Sequence, residues 1–267
     1  NDKSIGNLIA MAVDRVGKDG AITIEEARSS ETSLDITEGF IFDSGYRATA
    51  FITDERRGIM RYDEPLIMVT DHTISTVEQI LPILEVIARE GRPFVLVAEE
   101  IENQALAAMI MNAMRGTLKV AAIKAPRYGE ERRNILQDLA IAVNATFVSR
   151  ESGMKAHETK LEDLGSAKVI ECTKTSTTVV GGNADYELVD QRIETLKDQL
   201  KSTESMHDCE RIQERITRLA SGIAVIRVGA PTEIEMVEKK HRIEDALEAV
   251  RSAQIEGIVP GGGVALI

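Results

Sequence analysis

Residues 101–128 read IENQALAAMIMNAMRGTLKVAAIKAPRY, and from Ala105 to Met114 the only polar residue is Asn112. A helix at the surface of a globular domain needs one apolar stripe. Here Leu106, Met109, Ile110, Met111, Ala113 and Met114 spread well around the wheel. One side of the helix packs on the strand predicted over 118–123. The rest of its surface has two readings. If it is exposed, it binds something apolar, a task that flexible methionines suit. If it is covered, the helix is buried on both sides within a large domain. Periodicity alone weighs the two equally.

The same surplus recurs one unit upstream. A helix is predicted over 75–89, where Val77, Ile80, Leu81, Ile83, Leu84, Val86 and Ile87 cover roughly 220° of the wheel. Pro82 falls inside it, removing one backbone bond and bending it. Two such helices lying side by side on one face of a sheet would leave an apolar trough for an extended or helical peptide. Ordinary core is the alternative. Around them strands are predicted at 66–69, 94–98, 118–123 and 146–148, with a further helix at 130–143. This alternation implies a parallel sheet with right-handed crossovers.

Upstream, Ser4 is expected to cap a helix ending at Gly17, and two short strands follow within 20–39. Downstream, strands at 168–172 and 176–180 precede two long charged helices, 185–201 and 206–219. Joined by a polar turn, these read as an antiparallel hairpin. A strand at 223–228 and a helix at 232–255 lead to the turn Gly261-Gly262-Gly263. The apolar run after it should open another helix, so a domain is expected to be missing there. The first residue is not Met, so the chain is expected to be a processed product or an excised piece.

The chain has 267 residues, 43% hydrophobic and 28% charged, an ordinary globular composition. Its formal charge of -12, from 32 basic and 44 acidic residues, argues against nucleic-acid and anionic-membrane partners. No apolar run is long enough for a transmembrane helix. There is no Trp, and aromatics are 3%, so stacking on bases is not expected. Cys172 and Cys209 are the only cysteines; they make no disulfide framework, and a reducing compartment is the default.

Other constellations are weak. The turns TDHTIST and AEEIENQ after two strands lack glycine and carry acids, so they would repel a phosphate rather than cradle it. The triple glycine reads as a tight turn more readily than as a phosphate loop. His207, Asp208 and Cys209 are adjacent, and adjacent helical residues point apart, so no metal site is expected. His72, His157 and His241 are scattered, and no Ser-His-Asp or Cys-His arrangement emerges. Asp245 sits in a charged helix and reads as part of a solvated face.

Several phrases carry a clear resemblance: EGFIFDSGY at 38–46, MRGTLKVAAIKAPRYGEERRNILQDLA at 114–140, LEDLGSAK at 161–168, ASGIAVIRVGAPTEIEMVEKKHRIEDALEAVRSA at 220–253 and EGIVPGGGVAL at 256–266. Together they resemble the middle of a group I chaperonin, the family of bacterial, mitochondrial and plastid heat-shock chaperonins. The resemblance implies an α/β apical domain at 38–223, with a parallel or mixed sheet flanked by helices and a helical hairpin. It implies a small α+β intermediate domain from 1–37 and 224–255, and a stub of the equatorial domain at 256–267. Non-native polypeptide would be captured on Tyr46, Phe51, Leu81, Leu84, Leu106, Ile110 and Met111. A GroES-like co-chaperonin, the lid of the folding cavity, would compete for the same surface. Asp245 matches the aspartate that promotes ATP hydrolysis, and Gly262 a glycine of the nucleotide pocket.

The full-length parent implied in this way is an ATP- and Mg²⁺-dependent folding machine in homo-oligomeric, heptameric rings. Its location would be the cytoplasm or, alternatively, the mitochondrial matrix or plastid stroma. The chain by itself would be a monomeric holdase without ATPase activity or cofactor, binding neither nucleic acid nor membrane. The alternative is a nucleotide-independent polypeptide-binding or adhesion module that uses the same groove. An enzyme acting on a small molecule has no supporting constellation. Three departures from the family pattern stand out. Ser44 replaces an arginine that would pair with Glu233 in the ring. Ala50 replaces a client-binding aromatic, and Arg127 is added in RYG. Client preference, and with it lid preference, is expected to differ accordingly.

Overall fold

The computed structural model of the chain describes residues 2–17, 21–27, 29–220 and 222–259. In chain order these form α1 (Lys3–Val16), β1 (Ile22–Glu26), β2 (Ser33–Phe42), β3 (Met60–Asp63), β4 (Leu66–Thr70), β5 (Thr73–Ile74), α2 (Leu81–Glu90), β6 (Phe94–Ala98), β7 (Glu100–Ile101), α3 (Asn103–Met114), β8 (Val120–Lys124) and α4 (Gly129–Val143). Then come β9 (Phe147–Val148), β10 (Gly165–Cys172), β11 (Thr177–Gly182), α5 (Tyr186–Ser202), α6 (Met206–Ala220), β12 (Gly222–Val228) and α7 (Glu233–Glu256). The architecture is mixed α/β. The chain divides into two compact units: residues 1–37 with 222–267, and residues 38–221.

In the first unit β12 lies between β1 and the first half of β2, and β1 pairs with it in parallel, Ile22 opposite Ala224 and Ile24 opposite Ile226. α1 places Ile5, Ile9 and Ala12 on one face at helical spacing, and these are buried with Ile243 and Leu247 of α7 against Ile24, Ala224, Ile226 and Val228. The residue capping α1 is Asp2 rather than Ser4: the Asp2 carboxylate accepts from the Ser4 backbone N–H at 2.9 Å and from the Ser4 hydroxyl at 2.6 Å. The carboxylate also places negative charge at the positive end of the helix.

The second unit is built on the order β2-β11-β10-β4-β6-β8. β4, β6 and β8 run parallel, with Leu66 opposite Phe94 and Phe94 opposite Val120. All three strands are buried along most or all of their length, which is why they read as unbroken apolar runs. The sheet is nonetheless mixed. β10 is antiparallel to three strands: its start pairs with β4, its end with β3, and its other edge with β11. β3 was not legible as a strand, because MRYD is short and carries two charges.

The helix predicted over 75–89 is shorter than expected. Residues Val77–Gln79 form a 3-10 turn, and α2 begins only at Leu81. Pro82 therefore lies in the first turn of α2, where its missing N–H costs nothing, and it starts the helix instead of bending it. The hairpin α5–α6 forms as predicted and is anchored to α4 by ionic contacts. Asp138 is 1% exposed and accepts from Arg192 Nε at 2.9 Å and from Arg215 Nε and Nη2 at 2.7 and 2.9 Å.

Candidate functional site

The two helices with surplus apolar surface start from one small structure. β5 and β7 pair in parallel, Thr73 opposite Glu100 and Ile74 opposite Ile101. α2 follows β5 and α3 follows β7, so both helices leave from the same two-stranded ribbon. Backbone bonds lock the start of α3 to that ribbon: Glu102 N–H donates to Ile74 O at 2.9 Å, and Ala105 N–H to Ser75 O at 3.2 Å. The turn before α2 is held by Gln79, whose side-chain oxygen accepts from the Ser75 and Thr76 backbone N–H groups at 2.8 and 3.0 Å. The Val77–Gln79 turn packs against both α2 and α3.

Burial decides which apolar residues remain available. On α3, Ala105 and Met109 face the core, and Leu106 and Ile110 are half-buried against it. Met111 is 49% exposed and Met114 74%. Of the two readings open for this helix, one face is covered and the other is not. On α2, Ile83, Leu84 and Ile87 are core residues, while Leu81 is 45% exposed. Phe51 is 1% exposed, in a 3-10 turn (Thr49–Phe51) that packs against α3. Of the seven residues singled out for polypeptide capture, Leu81 and Met111 present their side chains to solvent. Tyr46, Leu106 and Ile110 are half-buried, and Phe51 and Leu84 support the helices from beneath. Met114, which the residue assignment left out, is the most exposed member of the same methionine-rich run.

Tyr46 is placed by backbone. Its N–H donates to Thr173 O at 3.3 Å, its hydroxyl to Gly58 O at 3.2 Å, and Arg47 N–H to Ala122 O at 2.8 Å. The preceding Gly45 is required by close approach: a Cβ there would stand 2.2 Å from Thr173 O.

Glu99 and Glu100 of the acidic turn 98–104 are paired with cations from other elements. Glu100 accepts from Arg47 Nε at 2.8 Å and from Lys124, and Glu99 pairs with Arg132 and Arg150. Burial works to raise the Glu100 pKa, but the Lys124 and Arg47 contacts outweigh it and hold the carboxyl below its ordinary 4.5. Sequence reasoning saw the acids but not their partners, which arrive from up to 53 residues away.

Asp245 lies in the other unit. On α7 it is exposed, while Ile243, Glu244 and Leu247 are buried. Gly262 and the glycine turn lie outside the described residues. Among the described residues no group of three or more His, Cys, Asp or Glu side chains could hold a metal ion, and no helix is long and apolar enough to cross a membrane. The Cys172 thiol is buried and pushed up to about 12 by that burial. It has the environment of an inert core thiol.

The unit that carries the apolar helices also contains three of the five sequence phrases, from EGFIFDSGY to LEDLGSAK. A model of the TCP-1/cpn60 chaperonin family matches residues 1–267, the whole of the chain. The chain belongs to that family, and its role is that of a chaperonin-type chaperone.

Proposed function

We propose that the unit formed by residues 38–221 is the apical domain, and that it captures non-native polypeptide on the open faces of α2 and α3. The observation that carries this reading is the exposure of Leu81, Met111 and Met114 on two helices rooted in one ribbon, beside half-buried Tyr46, Leu106 and Ile110. Unfolded chains expose apolar side chains, and each Å² of apolar surface removed from water contributes about 25 cal/mol. The attraction is non-directional, so one surface accepts many sequences. Methionine adapts its shape to each. A lid-like co-chaperonin competing for the same faces would convert capture into release.

The first unit is the intermediate domain in this reading. ATP with Mg²⁺ would supply the energy of the cycle in the heptameric full-length rings, and this chain would contribute Asp245. Its exposed carboxylate on α7 is sterically available to a nucleotide held elsewhere and has the chemistry of a general base or of a ligand to a hard cation. In this reading Ala50 and Arg127 alter which clients are held, and Ser44 removes a ring contact to Glu233.

The test is suppression of aggregation of a chemically denatured client. Met111→Glu and Leu81→Glu place a charge on exposed positions and should leave the fold unchanged by circular dichroism. Leu106→Glu is the more drastic version. Capture by the first two variants should fall by about tenfold, as expected for a charge set into an otherwise apolar contact. Undiminished suppression by both would overturn the assignment of these faces.

A further inference from the structure

Away from α2 and α3, the second unit contains a cavity of about 280 Å³ beside α5. Phe40 of β2, Val179 of β11, Val189 and Ile193 of α5 and Leu219 of α6 make its wall apolar. The cavity reaches solvent where exposed Tyr186 and Asp190 stand at its edge. Among the described residues the charged groups that line it are both carboxylates, Glu38 and Asp190, with no Lys, Arg or His. The Glu38 carboxylate near the Tyr186 hydroxyl pushes the phenol pKa up. The ion pairs on α5 are made by Arg192, Glu194, Lys197, Asp198 and Lys201, and among the described residues none is formed by Asp190.

An apolar pocket with a few polar groups converging at one end is the usual form of a small-molecule site, and this volume is near the lower limit of such sites, about 300 Å³. The sign of the charge selects the ligand. An anion would meet two carboxylates in a chain that already carries -12, and a neutral apolar molecule would cover those carboxylates without pairing them, at a desolvation cost. An organic cation satisfies both constraints. Its ammonium also gains from the adjacent Tyr186 ring.

We propose that this cavity binds a compact primary amine, its apolar body against Phe40, Val189, Ile193 and Leu219 and its ammonium toward Glu38 and Asp190. Occupancy joins the second half of β2, the first turns of α5 and the end of α6 through one ligand, and it stabilises the unit by mass action. The site is independent of polypeptide capture, since none of its lining residues belongs to α2 or α3.

The experiment is an amide NMR titration of the whole chain with cyclohexylmethylamine at pH 7, paired with the isosteric neutral cyclohexylmethanol. The amine should shift the amides of Phe40, Val179, Val189 and Leu219 and bind about tenfold more tightly than the alcohol, the scale of one charge-assisted contact. The exposed double variant Glu38→Gln, Asp190→Asn should remove that preference, and Met111→Glu should leave it intact. Three outcomes would overturn the proposal: equal affinity for amine and alcohol, shifts confined to α2 and α3, or an amine preference that survives in the double variant.

Discussion

At the scale of single residues, the most consequential buried charge is Asp138. Its side chain is 2% exposed and receives Arg192 and Arg215, at 16% and 11%. Removing one member of such a cluster strands the others in a poorly solvated site. Asp138→Ala should therefore cost about 3 kcal/mol in a urea titration; a cost within about 0.5 kcal/mol, the range of a surface change, would show that the cluster is not structural. Glu100 makes a prediction in pH. Its folded pKa is depressed, so the unfolded state binds the extra proton and the stabilisation is present above 4.5. It is lost as pH falls through the lower, folded value. Wild type should thus exceed Glu100→Gln in urea midpoint at pH 7, with the gap closing below pH 4.5. A gap constant across that range would remove the role given to Arg47 and Lys124. Neither residue could be read this way in the sequence, since both depend on cations from distant elements.

At the scale of elements, most of the architecture was legible. The buried parallel strands announced themselves as short apolar runs, and the α5–α6 hairpin as two charged periodic segments around a polar turn. What escaped was short or doubly used: β3, with four residues, and the ribbon of β5 and β7, with two residues each. Such pieces owe their pairing to partners already placed, and carry no periodicity of their own. The misread helix start at Pro82 has a local cause. Apolar residues recur at helical spacing through 77–87, but Gln79 caps a separate turn before the helix begins. The same scale governs the segment that carries Tyr46. Gly45→Ala would drive a Cβ into the backbone of the turn after β10, and displacing it should cost about 2 kcal/mol. The Tyr46 hydroxyl would lose Gly58 O, a change visible in its ring resonances. Unchanged stability and resonances would mean that the turn yields freely.

At the scale of the molecule, the two units have separate cores. Every member of the larger core falls within residues 38–221, and every member of the smaller within 1–37 and 222–259. The continuous unit should fold by itself: residues 38–221 expressed alone are expected to unfold cooperatively and to retain capture of denatured polypeptide. A non-cooperative transition would show that the second unit depends on the first. The smaller unit comes from two distant segments and should need both.

What the sequence determined by itself was the period of each element, the family phrases, and the presence of more apolar surface on two helices than one packing face requires. Only the tertiary structure decided which of those side chains stay in water. Leu81 and Met111 remain exposed while Leu84 and Phe51, equally apolar, are core. It also decided that Glu99 and Glu100 meet Arg47, Lys124, Arg132 and Arg150, and that Glu38 and Asp190 share the lining of one cavity. Periodicity is a local property of the chain. Burial and charge pairing depend on which remote segments arrive to cover a face, and that is set only when the sheet has been assembled.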